Sequence, residues 1–131
     1  MNRPIKFRVW DKLAERMIYP HNDNQQHFII DLNGQFHNLQ NGSGGDDYVI
    51  QQYTGLTDSN DDPIYEGDIL KNHYDVGNNI IGQVLYESDH GGYIFQWKRK
   101  GRGQDYKNLN CDVAFESVIV GNIFENPELL N

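Results

Sequence analysis

Turn-forming residues recur along this chain, and the runs between them carry no long amphipathic helical pattern. Clusters rich in Gly, Asn, Asp, Pro and Ser fall at 20–26 (PHNDNQQ), 33–34 (NG), 41–47 (NGSGGDD), 57–68 (TDSNDDPIYEGD), 88–92 (SDHGG) and 98–104 (KRKGRGQ). Such residues bond their own backbone through short side chains, preset φ, or reach left-handed conformations without a steric penalty. Between the clusters lie short runs of alternating polarity. Ile5, Phe7 and Val9 alternate with Lys6, Arg8 and Trp10, the period of a half-buried strand. Residues 16–19 read as its return, and 49–56, 69–70, 80–87, 93–98 and 113–124 as further strands, the last of them central. Asn126-Pro127-Glu128 reads as an N-cap followed by Pro at the first helical position, with room for about one turn of helix. The expected fold is mainly β, with short-stranded antiparallel sheets and little helix. The spacing over 63–124 is that of a small barrel.

HFIIDLNGQFHNL is the sharpest local signal. Asn33-Gly34 between apolar runs predicts a two-residue type I′ hairpin loop. That loop pairs Leu32 with Gln35, Ile30 with His37 and Phe28 with Leu39. Phe28, Ile30, Leu32 and Leu39 then share one face, which should be core. The connection at 41–47 reads as flexible and acidic.

A chain of 131 residues suits one domain, here with two lobes at 1–56 and 63–131. Aromatic residues make up 12% of it, too many for a disordered chain. The single Cys111 excludes an internal disulfide and suits a reducing compartment. No apolar run is long enough to span a bilayer, and the N-terminus has no signal-peptide pattern. A cytoplasmic protein without membrane contact is expected. The net charge of −8 is unevenly spread: residues 17–97 hold twelve acids and one base, Lys71. Such a middle repels phosphate, so nucleic-acid contact is expected only toward the ends.

KFRVWD near the start, QYTGLTDSNDDPIYEGDIL in the middle and VIVGNIFENPELL at the end resemble the YopX family of bacteriophage and prophage proteins. The three blocks run in the family's order and span nearly the whole chain. The resemblance implies phage or prophage origin, a location in the host cytoplasm, and a mostly β fold with an SH3-like barrel in the second half. It brings no catalytic residues to carry over.

Three groups of residues are candidates for chemistry or binding. Asp58, Asn60 and Asp62 match the first three ligands of an EF-hand loop, but Pro63 and Ile69 stand where that loop needs Gly and Glu. A looser cation site of Asp58, Asp62 and Glu66 competes with the plainer reading, a turn-rich connector whose acids lie in water. Glu66 and Asp68, alternate on an extended segment, would face one side, yet nothing nearby pushes their pKa values apart as acid–base work requires. The five histidines make no close ligand set with Cys111. The best binding candidate is basic: Lys98, Arg99, Lys100 and Arg102, with Trp97 and Tyr106 alongside. Bases interleaved with aromatics suit single-stranded nucleic acid. A solvated hairpin tip, or a contact with the acidic middle of another copy, accounts for the same residues.

These observations predict a non-catalytic β-rich interaction module that self-associates and needs no cofactor, with a phage or host protein as further partner. A single-strand-binding module using 98–102 is the alternative, and a metal-dependent hydrolase is a distant third.

Overall fold

The computed structural model describes residues 4–19, 27–75, 78–99, 101 and 103–131. The sequence loop at 20–26 and the bases Lys100 and Arg102 lie outside them. The chain divides into two compact units, one comprising Ile5–Gln52 and the other containing Tyr53–Asn131.

In the first unit, β1 (Phe7–Asp11) pairs antiparallel with β2 (Arg16–Ile18) on one side and with the start of β5 (Tyr48–Thr57) on the other. This central position buries both faces of β1, where alternation predicted one. Val9 is buried against Ile18 and Ile50. Arg8, on the opposite face, is only 3% exposed. Its Nε donates to Gln51 Oε1 at 2.8 Å, so the guanidinium is buried with a polar partner. Asp11 closes the β1–β2 turn, its Oδ1 accepting the N–H groups of Leu13 and Ala14 at 3.1 Å each.

The hairpin of β3 (Phe28–Ile30) and β4 (Phe36–Asn38) forms where expected, but one register away. The observed pairs are Phe28 with Asn38, Ile29 with His37 and Ile30 with Phe36. Asp31 is the reason. Its Oδ1 accepts from the N–H groups of Asn33 and Gln35 at 2.9 Å each, and its carbonyl accepts from Gly34 N–H. That side chain selects a type I turn completed by left-handed Gly34 (φ 79°), the three-residue loop rather than the type I′ turn. The one-residue slip exchanges faces. Phe36 enters the core with Val9 and Ile18, while Leu32 and Leu39, predicted to be core, are exposed. The 41–47 connection is held by a bridge from His37 to Gly44, by the bond between Ser43 Oγ and Tyr48 Oη at 2.7 Å, and by a 3-10 turn at Gly45–Asp47.

In the second unit, the end of β5 pairs with β6 (Pro63–Tyr65). β7 (Asp68–Asp75), β8 (Asn78–Glu87), β9 (Gly92–Arg99) and β10 (Gly103–Asn108) follow as a meander. A short helix α1 (Cys111–Phe115) leads into β11 (Ser117–Asn122), which returns to pair with β7. The five-stranded order is β10-β9-β8-β7-β11. This curled antiparallel sheet is compatible with the SH3-like barrel that the resemblance implied. The expected central strand over 113–124 is instead helix followed by an edge strand. Asn110 Oδ1 accepts Val113 N–H at 2.9 Å and starts the helix, which buries Val113 and Ala114.

The main core cluster lies on one face of this sheet, while Ile69 and Ile94 are buried on the other. Leu70, Val84 and Phe95 are buried there with Ile64, Val113 and Ala114, and Ile80, Trp97 and Ile119 pack around them. Complete burial of such side chains stabilises by about 1.5–3 kcal/mol each. Gly82 sits mid-strand, opposite Trp97. A Cβ there would run into the Gln96 carbonyl oxygen and lie 2.9 Å from Phe95 Cε1, so β8 continues through a residue with no side chain. At the end, Asn126 precedes a 3-10 turn at Pro127–Leu130 with Pro at its first position. Its side chain makes no cap bond to that turn. Asn126 Oδ1 instead accepts Asn122 N–H at 3.2 Å.

Candidate interaction surface

The acidic loop is a structural clasp. Asp58 is 4% exposed. Its Oδ1 accepts from Asn60 N–H at 2.9 Å and Asp62 N–H at 3.0 Å. Its Oδ2 accepts from Ile119 N–H on β11, also at 2.9 Å. The backbone reinforces the turn: Asp58 N–H donates to the Asp62 carbonyl, Asp61 N–H to that of Asp58, and Ser59 N–H to that of Ser117. Asp61 takes a left-handed φ of 64°. The expectation that these acids lie in water holds for Asp61 and Asp62 and fails for Asp58 and Asp68. A tight turn concentrates N–H donors that need an acceptor, and Asp58 supplies it. Asp68 is buried, with Oδ2 accepting Tyr65 N–H at 2.8 Å. Gly67 between Glu66 and Asp68 has a φ of 86°, so the two acids are not the extended pair the sequence suggested. Among the described residues, no three of His, Cys, Asp and Glu converge as a metal site would require, so Asp58, Asp62 and Glu66 are not drawn together.

Among the described residues, the histidines are dispersed. His37 Nε2 lies 2.9 Å from Asp31 Oδ2. That bond and the Gln35 N–H hold the Asp31 carboxyl below its ordinary value of 3.8. His73 Nδ1 meets Asn79 Oδ1 at 2.7 Å, and the His90 ring packs on Tyr106 with 5.1 Å between centroids. Cys111 is exposed at the first position of α1. An open groove of about 460 Å³ is lined by Lys107, Asn108, Asn110, Asp112, Val113 and Glu116. Asp112 and Glu116, one helical turn apart, are both exposed and solvated.

Strand alternation splits the basic candidate in two. In an antiparallel pair, residues directly opposite share a face. Trp97 lies opposite Gly82 on the core face and packs on Phe95, with centroids 5.4 Å apart and ring planes tilted by 33°. Arg99 shares that face and pairs with Asp105 at 3.4 Å. Lys98 and Tyr106 lie on the other side, Lys98 opposite Gln104 and Tyr106 opposite Gln96. Trp97 therefore does not stand with Tyr106, as their proximity in sequence suggested.

Register adds residues that no sequence window contained. Gln96 lies opposite Gln83, so by alternation Lys98 shares its outward face with Ile81. Ile81 lies opposite Lys71, and Lys71 opposite Val118. Lys71 and Lys98 thus stand on one face two strands apart, roughly 10 Å by sheet spacing. Lys98 is exposed and Lys71 half-buried, while Ile81 is 40% and Tyr106 46% exposed. Neither lysine forms an ion pair among the described residues. The two rows, Val118-Lys71-Ile81-Lys98-Gln104 and Ile69-Gln83-Gln96-Tyr106, contain no acid, and Ile69 at the start of the second is buried.

The family profile described as YopX protein matches residues 6–131. No curated protein matches the chain. Among solved structures, the chain is similar to protein EF1440 from Enterococcus faecalis, with 23% identity and a TM-score of 0.57. That match covers 99% of this chain and 100% of the other. At this identity the likeness is one of fold.

Proposed function

This chain belongs to the YopX family, and from that premise we propose that it is a phage- or prophage-encoded accessory protein of the host cytoplasm, a non-catalytic β-rich interaction module that self-associates. The supporting observation is the β3–β4 hairpin. Ile29 and Leu39 are exposed, and Leu32 is fully exposed at its tip. The Leu39 N–H donates to the His27 carbonyl and continues the ladder, so Leu39 shares the outward face of Ile29 and His37. Asp31 fixes the turn that presents them. Burying apolar side chains of this size is worth about 1.5–3 kcal/mol each, which offsets part of the cost of bringing two copies together. The opposed charges of the acidic middle and the basic ends supply complementary electrostatics for that contact.

Light scattering at low and high salt tests this reading. We expect an assembly larger than one chain, and Leu32→Asp should return it to monomer while leaving the circular dichroism spectrum unchanged. A strict monomer at high concentration in both salts would remove self-association. A nucleic-acid site confined to 98–102 has less support, because Trp97 faces the core and Arg99 pairs with Asp105.

A further inference from the structure

We propose that the outward face of the five-stranded sheet binds single-stranded nucleic acid, a site separate from the self-association reading and resting on different residues. It is built from Lys71 on β7, Ile81 and Gln83 on β8, Gln96 and Lys98 on β9, and Tyr106 on β10. The main core cluster occupies the other side of the same strands, and on the proposed face the strip is bounded by the buried Ile69 and Ile94.

The argument rests on charge and ring chemistry brought together by register. Lys71 is the single base among twelve acids over residues 17–97. Taken alone it is a stray charge. The sheet places it in one row with Lys98, on a strip from which every acid is absent. In a chain of net charge −8, that strip is where an anion is met by attraction. Two ammonium groups pair with backbone phosphates as point charges. Beside them Tyr106 offers an exposed ring, held by its packing against His90. A base stacks on such a ring whatever its identity. The amides of Gln83 and Gln96 both donate and accept hydrogen bonds, as base edges require. Sheet faces that combine aromatic stacking with scattered positive charge suit unpaired strands, whose bases are free to splay. A duplex asks for a broad basic surface, and the exposed Asp61 and Asp62 of the same unit count against one.

The test is fluorescence anisotropy with a labelled oligothymidylate of about twelve nucleotides, within the range of single-strand site sizes. The unaltered protein should bind at low salt, with a log–log salt slope of about −1.4 for two phosphate contacts. Lys71→Gln with Lys98→Gln should bring that slope close to zero, and Tyr106→Ala should weaken binding about tenfold. Arg99→Gln, altering the opposite face, should leave affinity unchanged. All four positions are at least partly exposed, and circular dichroism checks that each variant folds.

No anisotropy change with the unaltered protein at low salt overturns the proposal. So does a loss for Arg99→Gln equal to that of the lysine pair, which would mark a diffuse charge effect at the hairpin end. If the lysine pair abolishes association between copies and the unaltered protein binds no oligonucleotide, the face takes the acids of a second copy instead. A monomer that still binds the oligonucleotide refutes self-association and leaves this inference standing.

Discussion

Replacing Asp58 with Ala should destabilise the unit containing Tyr53–Asn131 far more than removal of a solvated turn acid would. Three backbone donors lose their acceptor: Asn60 N–H, Asp62 N–H and Ile119 N–H. Each bond to a charged acceptor is worth about 1.5–3 kcal/mol, and a buried donor left unpaired costs about 1–3 kcal/mol. Asn60 and Asp62 are exposed, so water takes over there at little cost. Ile119 is half-buried within β11 and packs against the core, and its N–H is left without a partner. The expected loss for Asp58→Ala is about 2–4 kcal/mol. Asp58→Asn should cost about half as much, because the amide oxygen still serves one side while its NH2 opposes a donor on the other. Urea unfolding followed by far-UV circular dichroism measures both. Where the units unfold separately, the transition assigned to Tyr53–Asn131 is the one that should move. A change below about 0.5 kcal/mol for Asp58→Ala, the range of a neutral surface substitution, would refute the clasp. A cation site makes the opposite demand: Ca²⁺ would raise the melting temperature of the unaltered protein and not that of the variant. The clasp predicts no shift in either.

Two further outcomes follow from local geometry. Gly82→Ala should cost about 1–3 kcal/mol, the usual range for overpacking, because its Cβ meets the Gln96 backbone and Phe95 on the neighbouring strand; an unchanged urea midpoint would contradict this. The Asp31 carboxyl is held below 3.8 in the folded hairpin, chiefly by His37, so its contribution is fully present above that pH and is lost as pH falls through the lower folded value. The amide signals of Asn33 and Gln35 should report this titration by NMR, and His37→Ala should move it upward; an unmoved midpoint would count against the pair.

What the sequence revealed and what it hid follow the range of the forces involved. Alternation and turn residues are local, and they located the β3–β4 hairpin, β1, β2 and the β8–β9 pair. The hairpin's register depended on one side chain, Asp31, competing for the turn's N–H groups. An Asp ahead of Asn-Gly favours a type I turn at the first position, so the signal was present but outweighed by the Asn-Gly pair. That slip exchanged Phe36 for Leu32 and Leu39 in the core. Asp58 read as a solvated acid because its third donor, Ile119, lies 61 residues away. Lys71 and Lys98 could not be joined by any window, since their proximity is created by pairing through β8. Helix α1 was missed because Val113 and Ala114 are apolar in either conformation, and the Asn110 cap decides between them.

The bond from Ile119 to Asp58 also orders events in time. A contact across so long a stretch of chain forms only after the intervening entropy has been lost. During synthesis, the turn at 58–62 emerges with Asp58 satisfied on one oxygen alone, and β7 emerges without the strand that will flank it. Neither is complete until residue 119 has left the ribosome. The segment that looked most like a ready-made ion site therefore has its local turn bonds within 58–62, and a chain ending before β11 is expected to lack the bond that completes it.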